Sequence, residues 1–195
     1  DQIRDWSLVL GSFSELPLVG SPTHFGGYTI GPAFYWVLWL LRVVIGPWFQ
    51  DLPHAGGIGQ AVLQSGADAL LFVAIWRRFG SFWIGLATVV LVATAAYDLA
   101  LSSLVWNPTM GSTLAKLAIA LVLLNWHIGS TPRVAVVVAV AWSAVHAYTG
   151  AIFVAVGVCA AVVSEPIRRC DWRGVRRVAA VIVVAIALLQ LPYLG

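Results

Sequence analysis

Charge is what this sequence has least of. Only 10% of its 195 residues are charged, while 61% are hydrophobic; a soluble domain carries roughly 25% charged and about 45–50% apolar residues. That imbalance excludes an ordinary soluble domain before any motif is read. Cysteine is equally scarce. Cys159 sits in an apolar run and Cys170 in an arginine-rich loop, with no spacing that suits a metal knot or a redox pair, so both read as unpaired thiols. There is no Walker loop, no Gly-x-Ser-x-Gly elbow and no His-Glu-x-x-His. No fixed-period repeat, low-complexity linker or signal-peptide pattern is present either. The net charge of +3 does not point to nucleic acid, because the arginines fall between apolar runs rather than on one polar face.

What the chain does have is a series of apolar runs, several of them short for a full bilayer crossing, which takes about 20 residues or roughly 17 at the short end. The runs are 57–76, 82–97, 112–127, 132–147, 149–164 and 178–192. The fold expected is therefore all-α, a polytopic membrane bundle of about six transmembrane helices. Arg77 and Arg78, Arg133, and the set Arg168, Arg169, Arg173, Arg176 and Arg177 lie in alternate connections. With Arg77 and Arg78 on the inside, all eight fall on the same, cytoplasmic side. Residues 1–56, the loop 98–111 and the turn at His146-Ala147-Tyr148 then face outward.

This parity leaves no room for 32–47 as a plain seventh span. Its Tyr35, Trp36, Trp39 and Trp48 with Arg42 suit a helix lying at the outer interface. Two parts follow: a first outer loop, 1–56, carrying the interfacial helix 32–47, and a transmembrane bundle, 57–195. The chain opens on a polar stretch and stops just after an apolar run, which reads as a fragment of a longer membrane protein.

Several polar residues stand out. Asp68 lies mid-span with Gln64 one turn earlier on the same face, either as a hydrogen-bonded structural partner or as a cavity residue. Lys116, read as one turn inside the outer end of its helix, either snorkels to the headgroups or touches a lipid phosphate. Trp106-Asn107-Pro108 is explained equally well as a helix start. His146 is a polar turn residue or a phosphate or acceptor ligand. His24 lies in a glycine-rich loop.

Asp1-Gln2-Ile3-Arg4, followed about two dozen residues later by Gly31-Pro32-Ala33-Phe34-Tyr35-Trp36, then Trp106-Asn107-Pro108 and His146-Ala147-Tyr148, resembles the GT-C membrane glycosyltransferases. The similarity is to bacterial proteins grouped with the protein O-mannosyltransferases (family 39 type) and the lipid A aminoarabinose transferase. Gln2 stands where those usually carry Glu, Gly31-Pro32 where they carry Pro-Pro, and Asn107 or Asp98 would have to serve where an acid is common.

The resemblance implies transfer of a sugar from a polyprenyl-phosphate donor to a protein, glycan or lipid acceptor at the outer membrane face, and the Ala/Val-rich helices point to a bacterial plasma membrane. It implies Asp1 as general base or as a carboxylate for a divalent metal, the one cofactor to consider. Arg4 would orient that base or meet phosphate, with Asp5 beside them; the alternative is an Asp1–Arg4 pair that merely caps a juxtamembrane helix. Tyr35, Asn107, Lys116 and His146 complete the implied substrate site. A nucleotide-sugar donor handled by a soluble domain does not fit. Two other readings stay open: a transporter or lipid-flipping module, suggested by Gln64 and Asp68, and a non-catalytic subunit, suggested by the neutral Gln2 and Asn107.

Overall fold

The computed structural model describes residues 2–22, 27–101, 104–128 and 130–191. Among these the chain is all-helical, with an isolated bridge between Pro22 and Tyr28 in place of any strand. The helices are α1 (Gln2–Leu8), α2 (Ala33–Val44), α3 (Leu52–Phe79), α4 (Phe82–Ala93), α5 (Ala96–Leu101), α6 (Asn107–Leu123), α7 (Thr131–Ala147), α8 (Ile152–Arg168) and α9 (Trp172–Gln190).

Helix boundaries follow local chemistry rather than hydropathy alone. The run at 57–76 becomes a 28-residue helix. Pro53 in its first turn extends it upstream, since proline's missing N–H costs nothing there. It stops at Gly80, whose φ of 68° closes the helix with an N–H bond to the Trp76 carbonyl. The expected span 112–127 starts five residues early, at Asn107, because Pro108 sits in the first turn. It stops at Leu123, before Asn125 takes a left-handed φ of 54°. The run 82–97 breaks after Ala93 and resumes as the short α5, so the expected loop 98–111 is largely helix. Thr149–Ala151 forms a 3-10 turn ahead of α8, and α9 begins at Trp172, capped by the Asp171 side chain on the Gly174 N–H.

Among the described residues, two helices, Leu52–Phe79 and Thr149–Arg168, are long and apolar enough to cross a membrane by length and composition, against the six spans expected. Helices α6 and α7 have 17 residues each, or ~26 Å at 1.5 Å per residue. Helix α7 packs on α2, α6, α8 and α9. Its core side alternates Val137, Val138 and Val145 with Ala141 and Ala144, and the two alanines let a neighbouring backbone approach closely. Helices α3 and α6 run parallel: Gln60 meets Thr113, and further along Leu71, Ala74 and Ile75 pack on Ala120.

Polarity is distributed inside out. Trp83, Leu91, Phe153, Val183 and Leu188 are exposed, while Gln60, Gln64, Asp68, Thr113 and Lys116 are buried. Water as the surrounding solvent would disfavour both halves of that arrangement; lipid favours both. The arginine-bearing turns meet at one end. Arg133 stacks over Trp126 at 5.6 Å, and the α6–α7 and α8–α9 connections line one cleft.

The expected first outer loop is more ordered than a loop. Helix α1 was not foreseen, and its flank buries Trp6, Val9 and Leu16 with Phe34, Tyr35, Leu38 and Leu41 of α2. Arg42 of α2 donates to the carbonyls of Val9 and Gly11, both at 2.7 Å, and the Trp39 indole donates to Gly11 at 3.2 Å. A guanidinium with five donors can hold two carbonyls of an irregular segment at once. Trp6 seats against Gly56, where a Cβ would overlap its ring.

Candidate functional site

At the end of the bundle opposite the arginine turns, α1 and α2 bring three implied site residues together. Asp5 Oδ1 accepts from Arg4 Nε at 3.0 Å and Nη2 at 2.7 Å, and from the Tyr35 hydroxyl at 3.3 Å. Asp5 is buried, whereas the Arg4 side chain is 40% exposed. The cluster thus has a dry carboxylate and a guanidinium that faces outward. The hydrogen bond to Asp5 raises the Arg4 pKa, and burial raises that of Tyr35 above its ordinary value of 10.0. Tyr35 therefore stays a hydroxyl donor to the carboxylate. Asp1, the implied base and metal carboxylate, and His24 lie outside the described residues.

Lys116 is not at the outer interface. It lies nine residues into α6, ~14 Å along the axis, and its side chain is 8% exposed. Its ammonium is 2.6 Å from Asp98 Oδ2 on α5 and 2.8 Å from Asp68 Oδ1 on α3. The Asp98 contact is a hydrogen bond. The Asp68 contact is an ion pair whose direction misses hydrogen-bond alignment, so Oδ1 keeps unused acceptor capacity. Snorkelling is overturned, because the ammonium is drawn inward by two carboxylates. Asp98, expected in an outward loop, turns into the bundle with it. The chain's one lysine thus ties three helices together.

The ion triad continues a polar seam between α3 and α6. Gln60 donates to Thr113 Oγ1 at 3.0 Å, and Thr113 donates to the Thr109 carbonyl at 2.9 Å. Gln60, Gln64 and Asp68 recur every four residues and so share one face of α3. Among the described residues, Gln60 Oε1, Gln64 Oε1 and Thr109 Oγ1 are buried without a hydrogen-bond partner.

His146 is not an exposed turn residue either. It is fully buried in the last turn of α7. Gln190 Nε2 of α9 lies 3.1 Å from its Nε2, Trp142 meets its ring edge-on, and Gly31 covers it. With Gln190 donating to Nε2, Nδ1 is left buried without a partner. A Cβ at residue 31 would overlap the imidazole. Gly31→Ala is therefore expected to cost about 1–3 kcal/mol, the usual penalty of overpacking a tight site. The unfolding midpoint in detergent measures it, and an unchanged midpoint would mean that the ring is free to move.

Asn107 is the first residue of α6 rather than its cap, half-buried, with Pro108 next in the first turn. The motif does start a helix with proline in the first turn, but the expected capping by Asn107 is not seen, since the N-cap is Trp106 and it makes no side-chain cap hydrogen bond. Val105 beside it packs against Trp6, which places Asn107 at the same end of the bundle as Arg4, Asp5 and Tyr35. The structure thus groups Arg4, Asp5 and Tyr35 by direct contact, sets Asn107 and His146 at that same end, and puts Lys116 in a separate, deeper cluster. Among the described residues no three His, Cys, Asp or Glu side chains converge as metal ligands. The pairing of Lys116 with Asp68 and Asp98 was missed from sequence. Its signal was available: a lone lysine in an apolar run needs a counter-charge, and the chain offers few acids within its other apolar runs.

Comparison of the chain with protein-family models, with curated proteins and with solved structures returns no match.

Proposed function

We propose that this chain is part of an integral membrane glycosyltransferase of GT-C type, which moves a sugar from a polyprenyl-phosphate donor to an acceptor at the outer face of a bacterial plasma membrane. The observation that carries this reading is the Arg4–Asp5–Tyr35 cluster. It combines a buried, donor-held carboxylate with an exposed guanidinium, at the start of α2 and at the end away from the arginine turns. Such a guanidinium suits a lipid-linked phosphate, and the carboxylate beside it fixes its direction.

In this reading α3, α4 with α5, α6, α7, α8 and α9 are the six spans, and α2 lies at the outer interface. Helices of ~26 Å serve a hydrocarbon core of about 30 Å through local thinning and flanking residues. Asp1 is the base that takes the acceptor's proton as the anomeric carbon passes from the donor phosphate to the acceptor oxygen. A divalent metal, if used, is held through Asp1.

The polar seam between α3 and α6 favours one rival, a transporter or flippase, because buried polar ladders line pathways. The complete protein in proteoliposomes separates the two. With a radiolabelled polyprenyl-phosphate sugar and added acceptor, the transferase reading expects label to move covalently to the acceptor. Label that crosses the bilayer while still on its lipid, with none on acceptor, would replace it with the rival.

A further inference from the structure

The turns at the arginine end enclose a cleft of about 230 Å³, room for several waters at about 30 Å³ each. Its rim is polar: His127 after α6, Thr131 at the start of α7, and Arg177 on α9. Its floor is apolar: the partly exposed Val178 and Val181 over the buried Val134 and Val162. His127 is only 6% exposed, and its Nδ1 is buried with no hydrogen-bond partner among the described residues. A buried orphan of this kind points to a missing partner.

The charges at the rim are not balanced against one another. Glu165 is taken by Arg168 at 2.9 Å and Arg169 at 2.6 Å. Asp171 is used in capping α9, accepting from the Gly174 N–H at 2.9 Å. Both rim acids are therefore engaged, while Arg177 has no ion pair among the described residues. The 17-residue α7 also points its N-terminus here without a side-chain cap; Pro132 lacks an N–H and Val134 donates to the Ser130 carbonyl, which leaves the Thr131 and Arg133 N–H groups and the positive end of the helix dipole at this end.

We propose that this cleft binds the phosphate of an anionic lipid from the leaflet on the arginine side, with its acyl chain lying along the four valines. The proposal rests on the membrane reading of the chain, not on its transferase activity. Arg177 supplies a fork that matches two phosphate oxygens, and the α7 terminus supplies backbone donors to the same group. The valine floor selects a lipid over free phosphate, since a bare anion would leave that apolar wall wet. Basic pockets between helices at this depth meet lipid headgroups directly.

The test uses the full chain in nanodiscs of phosphatidylcholine with increasing phosphatidylglycerol, read by native mass spectrometry after gentle release. One phosphatidylglycerol per chain is expected to be retained saturably. Arg177→Gln is expected to lower its affinity about tenfold, the scale of a lost charge-assisted hydrogen bond. Arg176→Gln, at a neighbour that is exposed like Arg177 but does not line the cleft, is expected to leave the affinity unchanged. Equal losses in both variants, or retention that never saturates, would overturn the site in favour of diffuse attraction to the basic face. Inorganic phosphate competing at the same concentration as the lipid would overturn the lipid assignment. A chain that stays in the aqueous fraction when detergent is removed would overturn the membrane reading and this site with it.

Discussion

Lys116→Met is expected to destabilise the protein by about 3–5 kcal/mol, the cost of breaking a buried ion pair from one side. The reason is what remains after substitution. Asp68 and Asp98 sit within 2.8 Å and 2.6 Å of the ammonium, at side-chain exposures of 13% and 11%. Methionine fills the lysine's volume yet strands both carboxylates in a dry site. Replacing all three residues by neutral ones of similar shape removes the charges together, so Lys116→Met with Asp68→Asn and Asp98→Asn is expected to regain most of the loss. Unfolding titrations in mixed micelles, followed by tryptophan fluorescence, measure both. A single-variant loss under about 1 kcal/mol would show that Lys116 is not held as an ion pair, and a triple variant no better than the single would assign the loss to packing.

Asp1→Asn in the complete protein is expected to cut sugar transfer by about 10²–10⁴-fold, the range for losing a general base. The substitution keeps the side chain's size and removes its ability to accept a proton. If the base is lost and binding is kept, kcat falls while KM for the lipid donor stays near its starting value. Asp5→Asn offers the contrast. Its carboxylate is already committed to Arg4 and Tyr35, so its loss loosens the guanidinium and is expected to appear mainly in KM. Unchanged turnover in Asp1→Asn would sink the assignment of Asp1 as base. Equal kcat losses in both variants would move that role toward the Arg4–Asp5–Tyr35 cluster.

How much of this could be read from sequence depends on the range of the interaction. Helix α2 was legible because its aromatic residues and Arg42 are local, and the gathering of the arginine turns at one end of the bundle followed from counting connections. Helix α1 was not legible: seven residues give no periodic signal, and its anchors Trp6 and Val9 acquire meaning only against α2. Helix α6 was placed too late in the chain because hydropathy is blind to the start that Pro108 permits. The depth of Lys116 was misread for that same reason, and its partners lie on helices that no sequence spacing connects to it. His146 looked like a turn residue because it stands at the end of the apolar run 132–147. What buries it are Gly31 and Gln190, brought in by α2 and α9. Asp5 was singled out only as a neighbour of Arg4, and its third contact, Tyr35, is 30 positions away.

The Asp68–Lys116–Asp98 triad also bears on how the chain reaches its membrane during synthesis. A lysine at the centre of a helix raises the cost of handing that helix to lipid by roughly 2.5–3.5 kcal/mol. In chain order α3 emerges first with Asp68, α5 follows with Asp98, and only then does α6 arrive with Lys116. In the proposed arrangement, with α6 as a span, each acid would precede the lysine at the insertion channel, so that α6 would leave the channel as part of an α3–α6 pair. Biogenesis would then proceed by docking on a preceding helix rather than by solitary entry, and a chain in which Asp68 and Asp98 are neutral would stall at α6.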